Sequence, residues 1–199
     1  MVAMEIERMI KFLLVVCCFL NTFVAKNGLT IDKRDQAMLK IGMGLTVAAD
    51  FCLVIMGINV FGILIFCAVQ AVYNYRYTSL PRVKIQVIVG AAVFIGALLV
   101  TGFDIIFAAG SAYGIFIIYS LSGALMARSK YPAPNDLLII AGMILFFLCD
   151  IFVMISSLPI QEIYGEWAFE FVNRGIWICY LPAQVMLSSS ARKVKSVEE

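Results

Sequence analysis

The stretch GMILFFLCDIFVMISS, residues 142–157, carries a single carboxylate, Asp150, inside an otherwise apolar run. An ionised side chain costs about 3 kcal/mol at the centre of a bilayer, so such a residue marks a site. An earlier stretch, GMGLTVAADFCLVIMG at 42–57, repeats the pattern with Asp50. Asp50 precedes Gly57 by seven residues and Asp150 precedes Ser157 by seven. At a helical rise of about 1.5 Å per residue, each lies about 10 Å inside the end of its run. The matched depths predict that the two aspartates face one buried site.

Working outward, the 199 residues are 63% hydrophobic and only 14% charged, with a mean hydropathy of +0.98. Soluble domains carry about 25% charged residues, so this is a membrane protein. Apolar runs fall at 9–25, 40–57, 60–74, 84–101, 105–127, 137–157 and 167–187. They predict one all-α integral membrane domain over 1–199, a bundle of about seven transmembrane helices with six to eight as the range. Arg8 and Lys11 open the first run as in a signal peptide, but Asn21 to Ala25 lead straight into Lys26 without a cleavage site, so a retained helix is expected.

Twelve of the fifteen basic residues fall in alternate connections: Lys26, Lys33, Arg34 and Lys40, then Arg76, Arg82 and Lys84, then Arg128 and Lys130, and finally Arg192, Lys193 and Lys195. By the positive-inside rule this predicts an outer amino terminus and a cytoplasmic carboxyl terminus, in the cell membrane. Topology accounts for the basic residues, and they form no patch suited to nucleic acid. The chain has no histidine, which excludes Ser-His-Asp and Cys-His catalysis and imidazole metal sites. A retinal Schiff base has no lysine in the last run. Six cysteines all lie in apolar runs without a CxxC pair and read as small buried hydrophobes. No metal and no cofactor is expected.

Gln70, Tyr73, Asn74 and Tyr77 share one face of the third run by i, i+3, i+4, i+7 spacing. The amides of Gln70 and Asn74 are hard to satisfy in lipid and are expected to point inward, whereas Tyr75 and Tyr77 suit an interfacial belt. The fifth run adds Tyr113 and Tyr119 as candidate lining residues, with Ser111, Gly114, Ser120, Ser122 and Gly123 read mainly as packing positions. Asp104 is expected in a solvated turn or cap, and Asn135 or Asp136 as the cap of the sixth helix after Pro132 and Pro134. The connection 159–166, with Ile160, Ile163 and Tyr164, is expected in the headgroup layer. In the last run Asn173 and Arg174 stand near the outer mouth, Pro182 predicts a kink, and Gln184 carries an amide toward the cytoplasmic half.

Two buried carboxyls that approach one another cannot both ionise cheaply, so one keeps its proton. Such a pair offers a general acid with a general base, suited to hydrolysis through an oxocarbenium-like species. Asp150, among Phe146, Phe147, Leu148, Ile151 and Phe152, is the expected acid and Asp50 the base. The same pair could carry protons in a lipid or amphiphile transporter, and the weak parallel repeat suits that use, although only the last helix has an internal proline. It could also simply join helices through hydrogen bonds.

The order GMGLTVAADFCLVIMG, then LFFLCDIFVMI, then YLPAQVML at 180–187 resembles the YhhN family of membrane proteins, which includes lysoplasmalogenases. The resemblance spans about 40–190. It implies Asp50 and Asp150 as the acid and base, Tyr180 and Gln184 as lining residues, and as substrate a lysophospholipid or similar single-chain lipid whose vinyl ether is cleaved. Ala49 and Cys149 stand where Gly and Ser are usual in the family, Gln70 stands where many members have a histidine, and the chain is one helix short of the usual eight near its start. The cavity is expected between the second, third, sixth and last long helices.

Overall fold

The computed structural model describes residues 2–24 and 32–191, with the side chains of 2–5 left aside. Lys26, Arg192, Lys193 and Lys195, part of the expected topological charge, lie outside the described residues. Within them the chain is helical without strands: α1 Val2–Val24, α2 Lys33–Asp50, α3 Asn59–Tyr77, α4 Leu80–Val100, α5 Ile105–Met126, α6 Asn135–Ser156, the single turn α7 Ile160–Tyr164, and α8 Glu166–Ser189. Seven of these are long, as the apolar runs predict. Four spans, Lys33–Ile55, Leu80–Val100, Ile105–Met126 and Asn135–Ser156, are long and apolar enough to cross a membrane.

The other three long helices are more polar for identifiable reasons. α1 opens with Glu5, Glu7, Arg8 and Lys11, and α8 with Glu166, Glu170 and Arg174. α3 is the interior helix, and its buried residues include Gln70, Asn74 and Arg76 beside Phe66, Val69, Tyr73 and Tyr77. It is packed between α2 and α5, with α4 outside against α5. α6 pairs with α8, and α1 lies along α2 and α8. α4 buries little beyond Gln86 and Gly90 and turns Ile88, Ile95 and Leu99 outward, as a lipid-facing helix must.

α2 does not end at Asp50. It widens into one π turn, Phe51–Ile55, and then reverses at Gly57, whose φ of 68° suits a residue without Cβ. Asp104 caps α5, its Oδ1 accepting the Ile106 and Phe107 amides at 3.0 Å each. The expected cap of α6 is not found: Pro134 occupies the cap position without a side-chain bond, and Asn135 is already the first helical residue. α8 continues as one helix through Pro182. Ile160 of α7 is buried against Ala168 and Val172, while Ile163 and Tyr164 are exposed. α6 and α8 approach closely at Gly142, where a Cβ would meet Leu187 Cγ at 2.9 Å and the Ala183 carbonyl oxygen at 3.3 Å. Gly123 likewise admits α3, but Gly114 has open space beside it, so only part of the small-residue set in α5 serves packing. The six cysteines are free, and Cys17 is exposed rather than buried.

Arg76 departs from its reading as a loop charge. It sits in the last turn of α3, 3% exposed, and grips Asp35 of α2 with two hydrogen bonds of 2.9 and 2.8 Å. Its Nη1 donates to Ser190 Oγ at 3.0 Å, and the Tyr131 hydroxyl donates to Asp35 Oδ1 at 2.6 Å. Four parts of the chain are tied together by one bidentate pair. Arg76→Met, which strands the Asp35 charge, is expected to lower unfolding stability in detergent by about 3–5 kcal/mol. The double variant Asp35→Leu with Arg76→Met is expected to recover most of that loss. Equal destabilisation by the single and double changes in thermal melts would show that the pair does not hold this end of the bundle.

Candidate active site

Asp50 ends the regular part of α2 and is 4% exposed. The Tyr180 hydroxyl, from α8, donates to its Oδ2 at 2.6 Å. Asp150, on α6 and half-buried, is served in the same way from α5: the Tyr113 hydroxyl donates to its Oδ2 at 2.6 Å. Each carboxyl therefore has one oxygen occupied by a phenol of another helix, and among the described residues no side chain donates to the other oxygen.

Behind the Asp150 pair runs a chain of donors. Gln70 Nε2 donates to the Tyr113 hydroxyl at 3.3 Å, and the Ser120 hydroxyl donates to Gln70 Oε1. Because the amide occupies the phenol oxygen as donor, the phenol's own proton is directed at Asp150. The tyrosines of the two pairs are linked by packed rings. Tyr113 meets Phe66 at a centroid distance of 6.1 Å, Phe66 meets Phe146 at 6.0 Å, and Phe146 meets Tyr180 at 5.7 Å. An aromatic wall thus joins the two carboxylates and keeps their surroundings apolar.

The remaining candidates are placed more variously. Gln184 lies one turn beyond Tyr180 on the same face of α8, wholly buried, and neither atom of its amide finds a partner among the described residues. Tyr73 is buried with its hydroxyl on Met43 Sδ at 3.2 Å. Asn74 donates to Gln86 Oε1 at 3.0 Å, and Gln86 passes the link to the Phe116 carbonyl at 2.9 Å, tying α3 to α4 and α5. Tyr119 lies under the Arg82 guanidinium, 5.9 Å from its ring centre. Asn173 and Arg174 are exposed, and Arg174 pairs with Glu170 at 3.0 Å. The hydrogen bonds thus form two groups, Asp50 with Tyr180 and Asp150 with Tyr113, Gln70 and Ser120, joined by the ring contacts; Gln184 lies one turn from Tyr180 on α8, and Tyr73, Asn74, Tyr119, Asn173 and Arg174 stand outside both groups.

Sequence reasoning took Ser120 for a packing residue and passed over Phe66. Ser120 could have been found from Tyr113, which lies two turns earlier on the same face of α5. Nothing in the sequence singles out Phe66. Among the described residues no group of three or more Cys, Asp or Glu is arranged to hold a metal ion.

A sequence model of the YhhN family matches residues 6–191, nearly the whole chain. The chain belongs to the YhhN family. No curated protein and no solved structure matches it. In this YhhN chain, Ala49 is fully buried and Cys149 nearly so, beside the two aspartates. Gln70 occupies an interior position where an imidazole would also have a phenol to meet.

Tyr113→Phe strands both the Gln70 amide and a carboxyl oxygen and is expected to destabilise the protein by about 2 kcal/mol. Gln70→Met is expected to cost a similar amount. Because both changes break one chain of bonds, the double variant should melt only slightly below either single one. Fully additive shifts would mean that the two residues act independently.

Proposed function

We propose that this protein is a membrane-embedded hydrolase that cleaves the vinyl ether of a lysoplasmalogen-type lysolipid to a fatty aldehyde and a glycerophospho-head. The observation that carries the reading is the pair of aspartates, each held by a tyrosine of another helix, with the two tyrosines joined through the packed rings of Phe66 and Phe146. Membership of the YhhN family supports it. In this reading the basic end of the bundle faces the cytoplasm, the protein lies in the cell membrane, and a single acyl tail enters between helices from the bilayer.

Asp150 acts as the acid. Its free oxygen gives a proton to the vinyl carbon remote from the ether oxygen, and the adjacent carbon becomes an oxocarbenium ion. Asp50 takes a proton from water as the water oxygen bonds to that carbon, which yields a hemiacetal. When the hemiacetal collapses, the carbon–oxygen bond to glycerol breaks and the departing oxygen takes the proton held by Asp50. The hemiacetal hydroxyl returns a proton to Asp150, so both groups end as they began. Tyr113 and Tyr180 position the carboxyls, and Phe66 and Phe146 exclude bulk water. Gln184, with an unanswered amide one turn from Tyr180, is suited to hold the attacking water or a glycerol hydroxyl.

The Gln70 position supports activity without histidine, because an amide N–H can donate to the Tyr113 hydroxyl as a neutral imidazole would. Gln70→His is therefore expected to keep most of the activity, whereas Gln70→Leu should lose about tenfold.

The decisive assay is aldehyde release by purified protein in detergent from a panel of vinyl-ether, ester and amide lysolipids. Release from the vinyl ether alone is expected, falling by about 100-fold or more in Asp50→Asn and in Asp150→Asn. Aspartate variants as fast as the parent would remove the assignment. Substrates that bind and stay intact would favour a lipid-binding or proton-coupled transport role for the same carboxyls.

A further inference from the structure

At the end of the bundle where α3 turns into α4, the cations outnumber the carboxylates. No acidic residue occurs between Asp50 and Asp104 or between Asp104 and Asp136, whereas Arg76, Arg82, Lys84, Arg128 and Lys130 all fall in those intervals. Arg76 is answered by Asp35, and Arg128 lies 3.9 Å from Asp136. Arg82 has no carboxylate among the described residues. Its guanidinium is nevertheless fixed, with Nη2 on Ser122 Oγ at 2.6 Å, Nη1 on Met126 Sδ at 3.1 Å, and the plane 5.9 Å from the Tyr119 ring centre. Its Nε is buried and has no partner among the described residues. A hydroxyl and a thioether are weak acceptors for a group whose fork matches a carboxylate or a phosphate.

Arg82 stands in the wall of a cleft of about 530 Å³ whose lining includes Thr78, Ser79, Ile85 and Met126. Ser79 occupies the cap position of α4 without a side-chain bond, and Pro81 follows at the second helical position, so the start of this 21-residue helix borders the same space. Ile85 and Met126, 51% and 66% exposed, face outward with the lipid-facing side of α4. One cleft thus joins a preorganised cation, an uncapped helix start and an apolar rim. We propose that this cleft binds the phosphodiester of an anionic bilayer phospholipid, with its tails along Ile85 and Met126 and Lys84 adding charge at the rim. The site is distinct from the aspartates: Ser122, which anchors Arg82, lies nine residues beyond Tyr113 on α5, about 14 Å along the helix. The phosphate of a lysolipid whose first glycerol oxygen sits at Asp150 does not extend that far, so the lipid held here is a second molecule.

The test uses the full chain purified in mild detergent, with lipid retention read by native mass spectrometry and thermal shift. Dioleoylphosphatidylglycerol, dioleoylphosphatidylcholine and inorganic phosphate serve as probes. Retention of one phosphatidylglycerol with a raised melting temperature is expected, with several-fold less phosphatidylcholine and no shift from phosphate. In Arg82→Gln the phosphatidylglycerol-bound fraction should fall about tenfold. If that variant does not fold, Arg82→Lys keeps the charge without the fork and should bind about threefold more weakly. Unchanged retention in whichever variant folds, equal retention of both phospholipids, or a phosphate shift matching that of the lipid would each overturn the proposal, the last by making the ligand a soluble anion.

Discussion

Inside hydrocarbon a polar side chain has no water to fall back on, and the arrangement of this bundle follows from that constraint. α3 carries most of the difficult groups, and three of them are answered by different neighbours. Gln70 is met by Ser120 and Tyr113 of α5, Asn74 by Gln86 of α4, and Arg76 by Asp35 of α2 and Ser190 at the end of α8. An interior helix with three such groups within about two turns cannot rotate or slide without breaking several bonds together. Burial of the polar helix adds to the apolar core in fixing the positions of its neighbours, and the outer helices are free to be simple and apolar, as α4 is.

The two aspartates belong to the same scheme but are left partly unanswered. Each has one phenol on one oxygen, which holds the carboxyl in place without using all of its capacity. A purely adhesive role would be better served by filling both oxygens. The wholly buried Gln184, with no partner among the described residues, is a second instance of unspent hydrogen-bonding capacity in the same region. Stability alone does not favour such groups, since an apolar side chain of similar shape would avoid the cost of burying them.

Much of this was legible in the sequence because lipid makes polar residues conspicuous. Seven apolar runs gave the seven long helices, and Asp50, Asp150, Gln70, Tyr113 and Tyr180 stood out as polar groups in apolar surroundings. What escaped notice did so for physical reasons. Asp35 follows Lys33 and Arg34 near the start of α2, where a charge reads as a solvated loop residue, and only the folded chain brings Arg76 to it. Ser120 is small enough to pass for a packing residue. Asn173 and Arg174 were drawn toward the site because a membrane segment makes any polar group look functional, yet both face outward at an end of the bundle. The cap of α6 was misplaced because Asn and Asp are usual caps, while here Pro134 stands at that position.

The π turn after Asp50 adds one residue to a helix without lengthening it by a full step. Residues before and after it are out of phase, so a helical wheel drawn through 33–55 with a single period assigns the wrong faces to one of its halves. The two halves are therefore separable in alignment and in design: the segment up to Asp50 answers to α3 and α8, while the segment beyond it answers to the reversal at Gly57. A length change confined to 51–55 would re-aim the distal half against lipid and leave the carboxylate in its place, so in comparisons among relatives a one-residue gap there reads as a change of register and not as the loss of a helix.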